Sequence, residues 1–504
     1  MKERKDFFGI KNAGSSVKVE IFAGIATFLA MSYILTVNPN QMLWGGTADP
    51  RWSSVFLATA IGAIIGTLLM AFLAKMPYAQ ASGMGLNATI GSVLGGVMGF
   101  SYSFGNAMLI VFIDGILFLL VSIIPIGRDK ETNKLITLRE KIFDGMPKAV
   151  RTAITVGIGL FIAFIGFQNS KIIVSSPYTL VDFVNLAGKE AWAAGGAARS
   201  AIVAMFGLFV IAVLDYFKVK GSVIIGIFAA TILSIPLGVT NIDILLGKTD
   251  GVTWRFWENF SNFFSFDPDN GGVFFAAFTE GFKMPEGSFM TTLMLIISFA
   301  MIDMFDTMGT VVGCATNAGL VDEEGKPLAY DKIMYADSIA TCTGALLGTS
   351  TVTTFVESGA GVAAGGKTGL TALVVAILFF LSIFLLPLFA FIPSAAAASA
   401  LIYVGVLMMS NVKNIDFSSV RNSVPAFMTI VIMLLGYSIT KGIGAGLISY
   451  VAISVAIFVL KSIKYLVVRK NNPEASKPIW DVSVVAIVVT CLFLFYFLMP
   501  TVIK

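Results

Sequence analysis

Five acidic residues lie within stretches of the sequence that are otherwise apolar: Asp114, Asp215, Asp303, Asp306 and Glu357. A carboxylate in hydrocarbon is costly, so each is a candidate functional group by default. Asp303 and Asp306 are three residues apart and would share one face of a helix. Ionised carboxylates accept N–H bonds, and protonated ones can also donate. We therefore predict that Asp306 and Glu357 bind a ligand with several N–H donors, and that one carboxyl among Asp303, Asp306 and Glu357 carries a proton.

Asp114, Asp215 and Lys367 leave more than one interpretation open. Asp114 could act in function, or a backbone N–H or a Ser hydroxyl could satisfy it structurally. Asp215 lies near the end of its apolar stretch, which favours an interfacial position. Lys367, within GGKTG, could extend to the interface as an anchor or pair with a carboxylate.

The composition restricts the chemistry further. The chain has 504 residues, of which 57% are hydrophobic and 13% are charged, and it has no histidine. Soluble domains carry about 25% charged residues, so the composition disfavours a soluble enzyme, a nucleic-acid binder and a disulfide scaffold. Without histidine, proton chemistry must use carboxylates, Lys, Tyr or Cys, and no metal or cofactor site is predicted. The cysteines lack paired spacing and are interpreted as small core residues: Cys314, Cys342 and Cys491.

The apolar residues fall into windows that could cross a membrane, since a spanning helix needs about 20 largely apolar residues. The windows are 21–38, 53–74, 103–125, 147–167, 200–216, 221–239, 289–310, 332–348, 370–391, 395–410, 424–440, 443–465 and 480–499. Two further stretches, 77–99 and 350–368, are rich in Gly, Ser and Thr, and we predict them to be broken spans. The sequence thus predicts an all-α membrane protein with fourteen transmembrane segments up to residue 465 and one extra C-terminal apolar segment.

Lys and Arg are distributed unevenly between the two sides of these spans. With the N-terminus in the cytoplasm, most of them fall in cytoplasmic segments, including the charged segment 126–146. This bias follows the positive-inside rule for multi-pass membrane proteins. We predict a protein of the plasma membrane with a cytoplasmic N-terminus, and its excess of basic residues requires no nucleic-acid partner.

An internal repeat relates the two broken spans. Residues 82–85 read SGMG and residues 358–361 read SGAG, and each quartet follows a stretch that is predicted to be a short strand. The two halves hold seven spans each, and because seven is odd, the second half is inverted relative to the first. We therefore predict a 7+7 inverted repeat with short strands at broken spans 3 and 10, in which Glu357 lies opposite Ala81.

Paired, glycine-interrupted spans in inverted halves are the sequence pattern that best indicates a transporter site near the membrane midplane. A half-helix that begins at such a break directs unpaired N–H groups towards the cavity. Gly83 and Gly359 would permit the tight turn and a close approach of backbone to ligand. The alternative interpretation is that these small residues only allow neighbouring helices to approach each other.

Several long motifs carry a resemblance to a known family. They are NATIG after SGMG, DMFDTMGT at 303–310, TTFVESGAGVAAGGKTGLTA at 353–372 and the opening VEIFAGIATFLAMSYILTVNPNQM. Over residues 7 to 465 the chain resembles the AzgA-like purine permeases, which belong to the wider xanthine/uracil and nucleobase/ascorbate permease group. Ser82 stands where many members of the family carry Pro.

The resemblance implies a core domain made of spans 1–4 and 8–11 and a gate domain made of spans 5–7 and 12–14. The implied boundaries are 1–125 and 289–391 for the core, 126–240 and 392–466 for the gate, 241–288 for an extracellular loop and 467–504 for a cytoplasmic linker with the extra apolar segment. The implied activity is the import of adenine, guanine or hypoxanthine by proton symport, through alternating access of the elevator or rocking type. The expected partners are a purine, a proton and the lipid bilayer, with a homodimer as one assembly left open.

By the same resemblance, Asp306 and Glu357 match the two acids that hold the base, and Asp303 matches a further essential acid. Asn87 lies in the matching polar break between strand and helix, and we count Gly83, Gly359, Thr354 and Ser358 with it as substrate-binding candidates. The aromatic side chains that could stack on the purine ring are Tyr33, Phe305 and Phe355.

Three other functions compete with purine transport. An anion transporter of the same 7+7 fold is favoured by two half-helix N-termini and opposed by the carboxylates, which would repel an anion. A membrane-embedded prenyl- or phospho-transferase could use DMFD to bind a metal diphosphate, but that chemistry needs several acidic clusters and intramembrane basic residues. A scaffold or receptor is the third. We predict a transporter rather than an enzyme, and the sequence does not choose among the purines.

Overall fold

The structure, a computed structural model, describes residues 6–43, 46–97, 99–128, 135–176, 179–193, 196–246, 252–266, 271–322, 326–469 and 477–502. Parts of several predicted segments lie outside these ranges. They include residues 129–134 of the charged cytoplasmic segment, 247–251 and 267–270 of the extracellular loop, and 470–476 of the cytoplasmic linker.

The chain is mostly helical. The helices up to residue 240 are α1 Val17–Met31, α2 Ile34–Met42, α3 Trp52–Leu69, α4 Met84–Leu94, α5 Phe104–Ile123, α6 Leu138–Gly145, α7 Lys148–Asn169, α8 Ala197–Tyr216 and α9 Ser222–Ser234. Those after it are α10 Phe256–Phe263, α11 Ala276–Thr279, α12 Phe289–Ala318, α13 Tyr330–Leu347, α14 Ser358–Ala363, α15 Gly369–Ile383, α16 Leu386–Ala390, α17 Ser394–Met409, α18 Val420–Leu435, α19 Ile439–Arg469 and α20 Val484–Val502. The strands are β1 Gln80–Ser82, β2 Pro125–Arg128, β3 Leu135–Thr137, β4 Ile173–Ser176, β5 Leu180–Phe183 and β6 Val352–Thr354.

Many of these helices are apolar on all sides, as expected for segments surrounded by lipid and by other helices. In the described part of the chain, eight helical stretches are long and apolar enough to cross a membrane, and five more are apolar but shorter. The shorter ones include α4, which is the helical part of the first predicted broken span. The structure is thus that of a multi-pass membrane protein, and the count of fourteen spans stays a prediction.

Strands β1 and β6 pair in antiparallel register, with Gln80 opposite Thr354 and Ser82 opposite Val352. All three residues of each strand are buried. Unpaired backbone is very costly in an apolar interior, so this pairing allows the chain to leave the helical conformation at both breaks. The strand pair therefore holds the starts of α4 and α14 close together.

The two half-helices begin at different residue types. Gly83 is the N-cap of α4, and Glu357 is the N-cap of α14. When the halves are aligned by these N-caps, Glu357 corresponds to Gly83 and not to Ala81. The SGMG and SGAG quartets are therefore displaced from each other in the structure, because the second break has a longer turn between strand and helix.

Several regions that the membrane pattern left as loops have structure of their own. Strands β2 and β3 form one hairpin and β4 and β5 form another, while α10 and α11 lie within the predicted extracellular loop. Helix α6 begins at a capping box in which Thr137 and Glu140 bond to each other's backbone N–H. Such short, polar elements do not show in a search for long apolar windows, and for that reason they were not predicted.

The chain divides into two compact units. The first comprises Met1–Ser122, Ile162–Thr292 and Ile296–Val404, and the second comprises Ile123–Phe161, Leu293–Leu295 and Gly405–Lys504. All the predicted site residues belong to the first unit. The predicted division into core and gate domains stays a prediction.

Small residues allow the helices of the first unit to pack closely. A methyl group on Gly369 would lie 2.2 Å from the carbonyl oxygen of Ala71, and one on Gly24 would lie 2.6 Å from Val374. These contacts bring α15 against α1 and against the helical turn that follows α3. Such close packing is typical of helices in membranes, where small residues let backbones approach each other.

In the second unit, the C-terminal helix α20 packs on α19 and α6. A methyl group on Gly444 would lie 2.7 Å from the ring of Phe493, and one on Gly145 would lie 2.8 Å from Val485. Ahead of α20, the Asp481 carboxylate forms an ion pair with Arg421. The extra apolar segment is thus a packed helix and not a free tail.

Candidate substrate-binding site

Tyr33 and Glu357 are hydrogen-bonded to each other at the break before α14. The Tyr33 hydroxyl donates a hydrogen bond of 2.5 Å to Oε1 of Glu357, and it lies 3.3 Å from Sδ of Met84 at the start of α4. The other carboxylate oxygen, Oε2 of Glu357, is buried and has no hydrogen-bond partner among the described residues. One half of this carboxylate is therefore oriented by Tyr33, and the other half is available to a ligand.

Asp306 on α12 is the neighbour of Glu357. The two carboxyl groups interact electrostatically, although they are 51 residues apart in the chain. Asp306 is only partly exposed, and no hydrogen bond of its side chain is found within the described ranges. Two like charges at low exposure favour a proton or a ligand with N–H donors between them. The structure thus brings together the two acids that the sequence predicts to bind the ligand.

Asp303 lies one turn away on α12 and is completely buried. Its Oδ2 accepts a 2.9 Å hydrogen bond from the Thr341 hydroxyl on α13, and its Oδ1 has no partner in the described part of the chain. The hydroxyl that braces Asp303 comes from a neighbouring helix rather than from Thr307 on the same helix. Asp303 interacts most strongly with Asp337 and Asp114 among the charged groups around it, and it also interacts with Asp306.

Asp337 on α13 is a buried acid that the sequence interpretation missed. Its Oδ1 accepts hydrogen bonds from the Gln80 side chain at 2.8 Å and from the backbone and the hydroxyl of Thr354 at 2.9 Å each. Its Oδ2 accepts one from the Thr307 hydroxyl at 2.8 Å. Asp337 thus connects α12, α13 and both strands of the break. It lies within the apolar window 332–348, so the rule that selected Asp303 would have selected it as well.

Thr354 and its neighbours attach strand β6 to the helices beside the site. The hydroxyl of Thr354 donates to Asp337 and also receives a 3.3 Å bond from Gln80, its partner across the strand pair. One residue earlier, the Thr353 hydroxyl lies 2.5 Å from that of Thr307. The side chains of β6 therefore fix the strand to α12 and α13, and these contacts position the start of α14.

Asn87 is completely buried near the start of α4, where its amide holds the first break together. It donates to the carbonyl of Ser82 at 3.4 Å and accepts from the Ser350 hydroxyl. The Ser82 hydroxyl lies 2.7 Å from Thr349 and 3.3 Å from the amide nitrogen of Asn38. These bonds bring both breaks into one polar network.

The glycines and Ser358 at the two breaks are bonded within the protein. The N–H of Gly83 donates to the Thr351 carbonyl at 2.9 Å, and the N–H of Gly359 donates to the Val356 carbonyl at 3.0 Å. The Ser358 hydroxyl accepts from the backbone of Ala79 at 3.0 Å. In α14 the N–H groups of Ser358 and Ala360 are also bonded, to the carbonyls of Phe355 and Glu357. A ligand would therefore meet the N–H groups of Met84 and Gly85 in the first turn of α4, which have no acceptor within the helix itself. Gly83 also permits close approach, since a methyl group there would lie 2.7 Å from Thr353.

Glu20 is a second buried acid that the sequence interpretation passed over. Its carboxylate accepts the backbone N–H groups of Lys367 and Thr368 at 3.1 and 3.2 Å and the Thr371 hydroxyl at 2.6 Å. These bonds secure the GGKTG turn that leads from α14 into α15. The backbone of Lys367, rather than its side chain, makes the contact with a carboxylate. Glu20 lies one residue before the apolar window 21–38, so the search for acids within apolar stretches did not select it.

The remaining predicted residues are three aromatic residues, Asp215 and the three cysteines. The aromatic side chains that could stack on a ligand are all buried: Tyr33, Phe305 and Phe355. Asp215 is partly exposed and accepts a hydrogen bond from Tyr403. None of the three cysteines forms a disulfide, and Cys314 and Cys342 make only long contacts to backbone carbonyls.

Comparison with known proteins identifies the family to which this arrangement belongs. A family model described as "Permease family" (Xan_ur_permease) matches residues 18–445, which include both breaks and all the acids described above. The chain belongs to this permease family. It is therefore a transporter of the multi-pass membrane class and not an enzyme.

Two curated relatives are similar over almost their whole length. The adenine permease AdeP of Escherichia coli is 36% identical over 444 residues, which are 88% of this chain and 88% of the relative. The guanine/hypoxanthine permease PbuO of Bacillus subtilis is 36% identical over 454 residues, which are 89% of this chain and 94% of the relative.

Among solved structures, the transmembrane domain of the cyanobacterial bicarbonate transporter BicA has a similar fold. It superposes with a TM-score of 0.56 at 14% sequence identity and covers 85% of this chain and 97% of that chain. At this identity the likeness concerns the fold alone, and the chemistry of the site has to be argued from the residues of this chain.

Proposed function

We propose that this permease imports a purine nucleobase together with a proton. The observation that carries the proposal is the Glu357 carboxylate, with one oxygen oriented by Tyr33 at 2.5 Å and the other buried and unpartnered beside Asp306. A purine presents ring and exocyclic N–H groups along one edge, which match carboxylate acceptors. The relatives named as adenine and guanine/hypoxanthine permeases point to the same class of substrate.

In the proposed complex, the N–H edge of the purine meets Glu357 and Asp306. Its carbonyl or ring nitrogens accept bonds from the N–H groups of Met84 and Gly85, which follow Gly83 in the first turn of α4. Asn87, Thr354 and Ser358 hold the two breaks in place, because their polar atoms are bonded to neighbouring backbone and side chains. A buried site built to pair with N–H groups rejects analogues that lack them, since its carboxylates would stay unpaired.

The proton would be carried by a carboxyl group. The chain has no histidine, so no imidazole is available for this role. The candidates are Asp303, Asp306 and Glu357. Asp303 and Glu357 each have a buried carboxylate oxygen without a partner among the described residues, and Asp306 has Glu357 as a like-charged neighbour. Binding of a proton to one of them reduces the repulsion within the pair and so favours entry of the substrate.

Transport follows alternating access in this proposal, of the elevator or rocking type, with the substrate held between the half-helices. The strand pair β1–β6 supports this proposal, because it makes both half-helix starts move together as one body. We also propose a plasma-membrane location and a cytoplasmic N-terminus, on the strength of the Lys and Arg bias. A homodimer remains a proposal that cross-linking in native membranes would test.

The test is uptake by the purified, full-length protein in proteoliposomes. Labelled adenine, guanine and hypoxanthine are supplied at equal internal and external pH and with an acidic exterior, and labelled sulfate and bicarbonate are the matched anion arms. We expect at least one purine to accumulate only with the acidic exterior. Uptake of an anion without uptake of any purine would refute the proposal and favour the anion transporter of the same fold.

A further inference from the structure

We propose that Asp114 on α5 is a second proton-binding carboxyl of this permease, placed behind the substrate site, and that it exchanges its proton with Asp303. This inference rests on the proposed proton-coupled transport and adds a group to it. Among the described residues, no hydrogen bond links Asp114 to Glu357 or Asp306, so its role would be to position a proton and not to hold the purine.

The burial of Asp114 is the first observation. The residue is completely buried in the middle of an apolar helix, and neither of its carboxylate oxygens has a hydrogen-bond partner in the part of the chain that the structure describes. An ionised carboxylate without donors costs several kcal/mol in such a place. The structural interpretation that a backbone N–H or a Ser hydroxyl satisfies Asp114 therefore does not apply, and the neutral form is the one that fits.

The neighbours of Asp114 are the second observation. Helix α5 approaches α13 closely, since a methyl group on Gly115 would lie 2.7 Å from Sγ of Cys342. Asp114 interacts electrostatically with Asp337, with Asp303 and with the Cys342 thiol. At the other end of α5, the groups near Asn106 are Glu280 and Lys283, which lie more than two helical turns away. Among the titratable groups of the described residues, those that interact with Asp114 are thus two acids and a thiol.

The three acids differ in the number of hydrogen bonds that stabilise a negative charge. Asp337 accepts four bonds, Asp303 accepts one from Thr341 and Asp114 accepts none. Charge is best tolerated where donors are most numerous. Asp337 is therefore the anion of the group, and Asp114 is the member that holds a proton when Asp303 is ionised.

A shared proton explains the unpartnered atoms better than a metal ion does. Within the described ranges, no group of three or more His, Cys, Asp or Glu side chains is arranged to hold a metal. A neutral Asp114 can donate its O–H, and Oδ1 of Asp303 is a buried acceptor without a partner. The transfer is balanced: the O–H bond of Asp114 breaks, a new O–H bond forms on Asp303, and the negative charge moves from Asp303 to Asp114.

In a transport cycle, this exchange would let Asp114 and Asp303 hold the coupling proton at a position separate from the bound purine. Asp303 is one turn from Asp306 on α12 and interacts with it, so a change of charge on Asp303 acts on the substrate pair. Asp114 would act as a reservoir from which Asp303 is protonated. Removing the reservoir should therefore uncouple transport from the proton gradient and leave the purine site intact.

The test compares exchange and accumulation in proteoliposomes that hold full-length wild type or Asp114→Asn. Asn has the shape of a neutral Asp, so we expect purine exchange at equal pH to be retained. With one proton per purine, a gradient of one pH unit drives about tenfold accumulation. We expect that accumulation to fall to about one in Asp114→Asn, because the side chain no longer takes up or releases a proton.

Asp215→Asn is the matched control, since it removes a carboxyl on α8 that pairs with Tyr403, and it should keep both exchange and accumulation. Asp114→Glu keeps a carboxyl and should restore part of the accumulation. Unchanged accumulation in Asp114→Asn would overturn the proposal. Loss of exchange and accumulation together would overturn it too, because Asp114 would then be a structural residue.

Infrared spectroscopy tests whether Asp114 is protonated without a transport measurement. At neutral pH, wild type and Asp215→Asn should show a carbonyl band of a protonated carboxyl that Asp114→Asn lacks. Identical bands in all three proteins would overturn the assignment. If wild type moved no purine, the proposed function would fail while this spectrum still located the proton, so the two failures are distinguishable.

Discussion

The hydroxyl of Tyr33 offers the sharpest test of how the substrate site is organised. It donates a hydrogen bond of 2.5 Å to the Glu357 carboxylate. Tyr33→Phe removes this donor and leaves the aromatic ring in place. Glu357 then loses the contact that orients it, and both of its oxygens lack a protein partner.

The expected magnitude follows from the type of bond that is lost. A hydrogen bond to a charged group contributes about 1.5–3 kcal/mol, and each 1.4 kcal/mol is a factor of ten in affinity. Tyr33→Phe should therefore weaken purine binding by about tenfold to a hundredfold. The variant should change purine affinity more than proton coupling, because it removes the bond that orients the Glu357 carboxylate and leaves the carboxyl groups themselves in place.

Tyr78→Phe is the matched control. Tyr78 is also completely buried, but its hydroxyl has no hydrogen-bond partner among the residues that the structure describes. Removing an unsatisfied hydroxyl is neutral or stabilises the fold by about 1 kcal/mol. Purine binding to both variants is measured by isothermal titration of the purified proteins, with the midpoint of thermal unfolding as the check on folding.

We expect a large loss of affinity for Tyr33→Phe and wild-type affinity for Tyr78→Phe. Wild-type affinity in both variants would refute the role given to the Tyr33 hydroxyl. An equal loss in both variants would mean that any buried tyrosine hydroxyl in this region matters, which would refute the specific contact with Glu357.

Two further predictions concern stability. Gly91→Ala would place a methyl group 2.1 Å from the Gln41 carbonyl oxygen and should destabilise the protein by about 1–3 kcal/mol, whereas Gly309→Ala, with nothing within 4 Å, should be neutral or slightly stabilising by thermal unfolding. The hydrogen bond from Arg421 lowers the pKa of Asp481 below its usual 3.8, so this contact stabilises the fold above pH 4 and is lost as the pH falls below the lowered pKa. Asp481→Asn should therefore lower the unfolding midpoint slightly at neutral pH, because the pair is partly exposed, and the difference should vanish in acid.

The membrane pattern of the fold was predictable because it depends on composition along the chain. Apolar windows of about 20 residues follow directly from the thickness of the bilayer, and the Gly- and Ser-rich stretches indicated where helices would break. The sequence could not show that Gln80 pairs with Thr354, since strand register depends on contacts between distant segments. It also could not show the hairpins, because short polar elements leave no trace in a hydropathy pattern.

The site residues could be predicted where a carboxylate lies in an apolar segment, because burying its charge there is costly. Asp303, Asp306 and Glu357 stood out for this reason, and the structure brings Asp306 and Glu357 close to each other. Asp337 met the same criterion and was missed, because its window is rich in small and polar residues that made it look less unusual. Its four hydrogen-bond donors come from three separate elements, and only the folded chain brings them together.

The central claim is that the acid pair of Glu357 and Asp306 holds the purine. Titration of purified wild type, Glu357→Gln, Asp306→Asn and Asp215→Asn with hypoxanthine, adenine and guanine tests it most directly. The account predicts that both site variants lose at least about tenfold in affinity for the preferred purine, since each removes a hydrogen bond to a charged group. Asp215→Asn should bind like wild type. Wild-type affinity in both site variants would contradict the account.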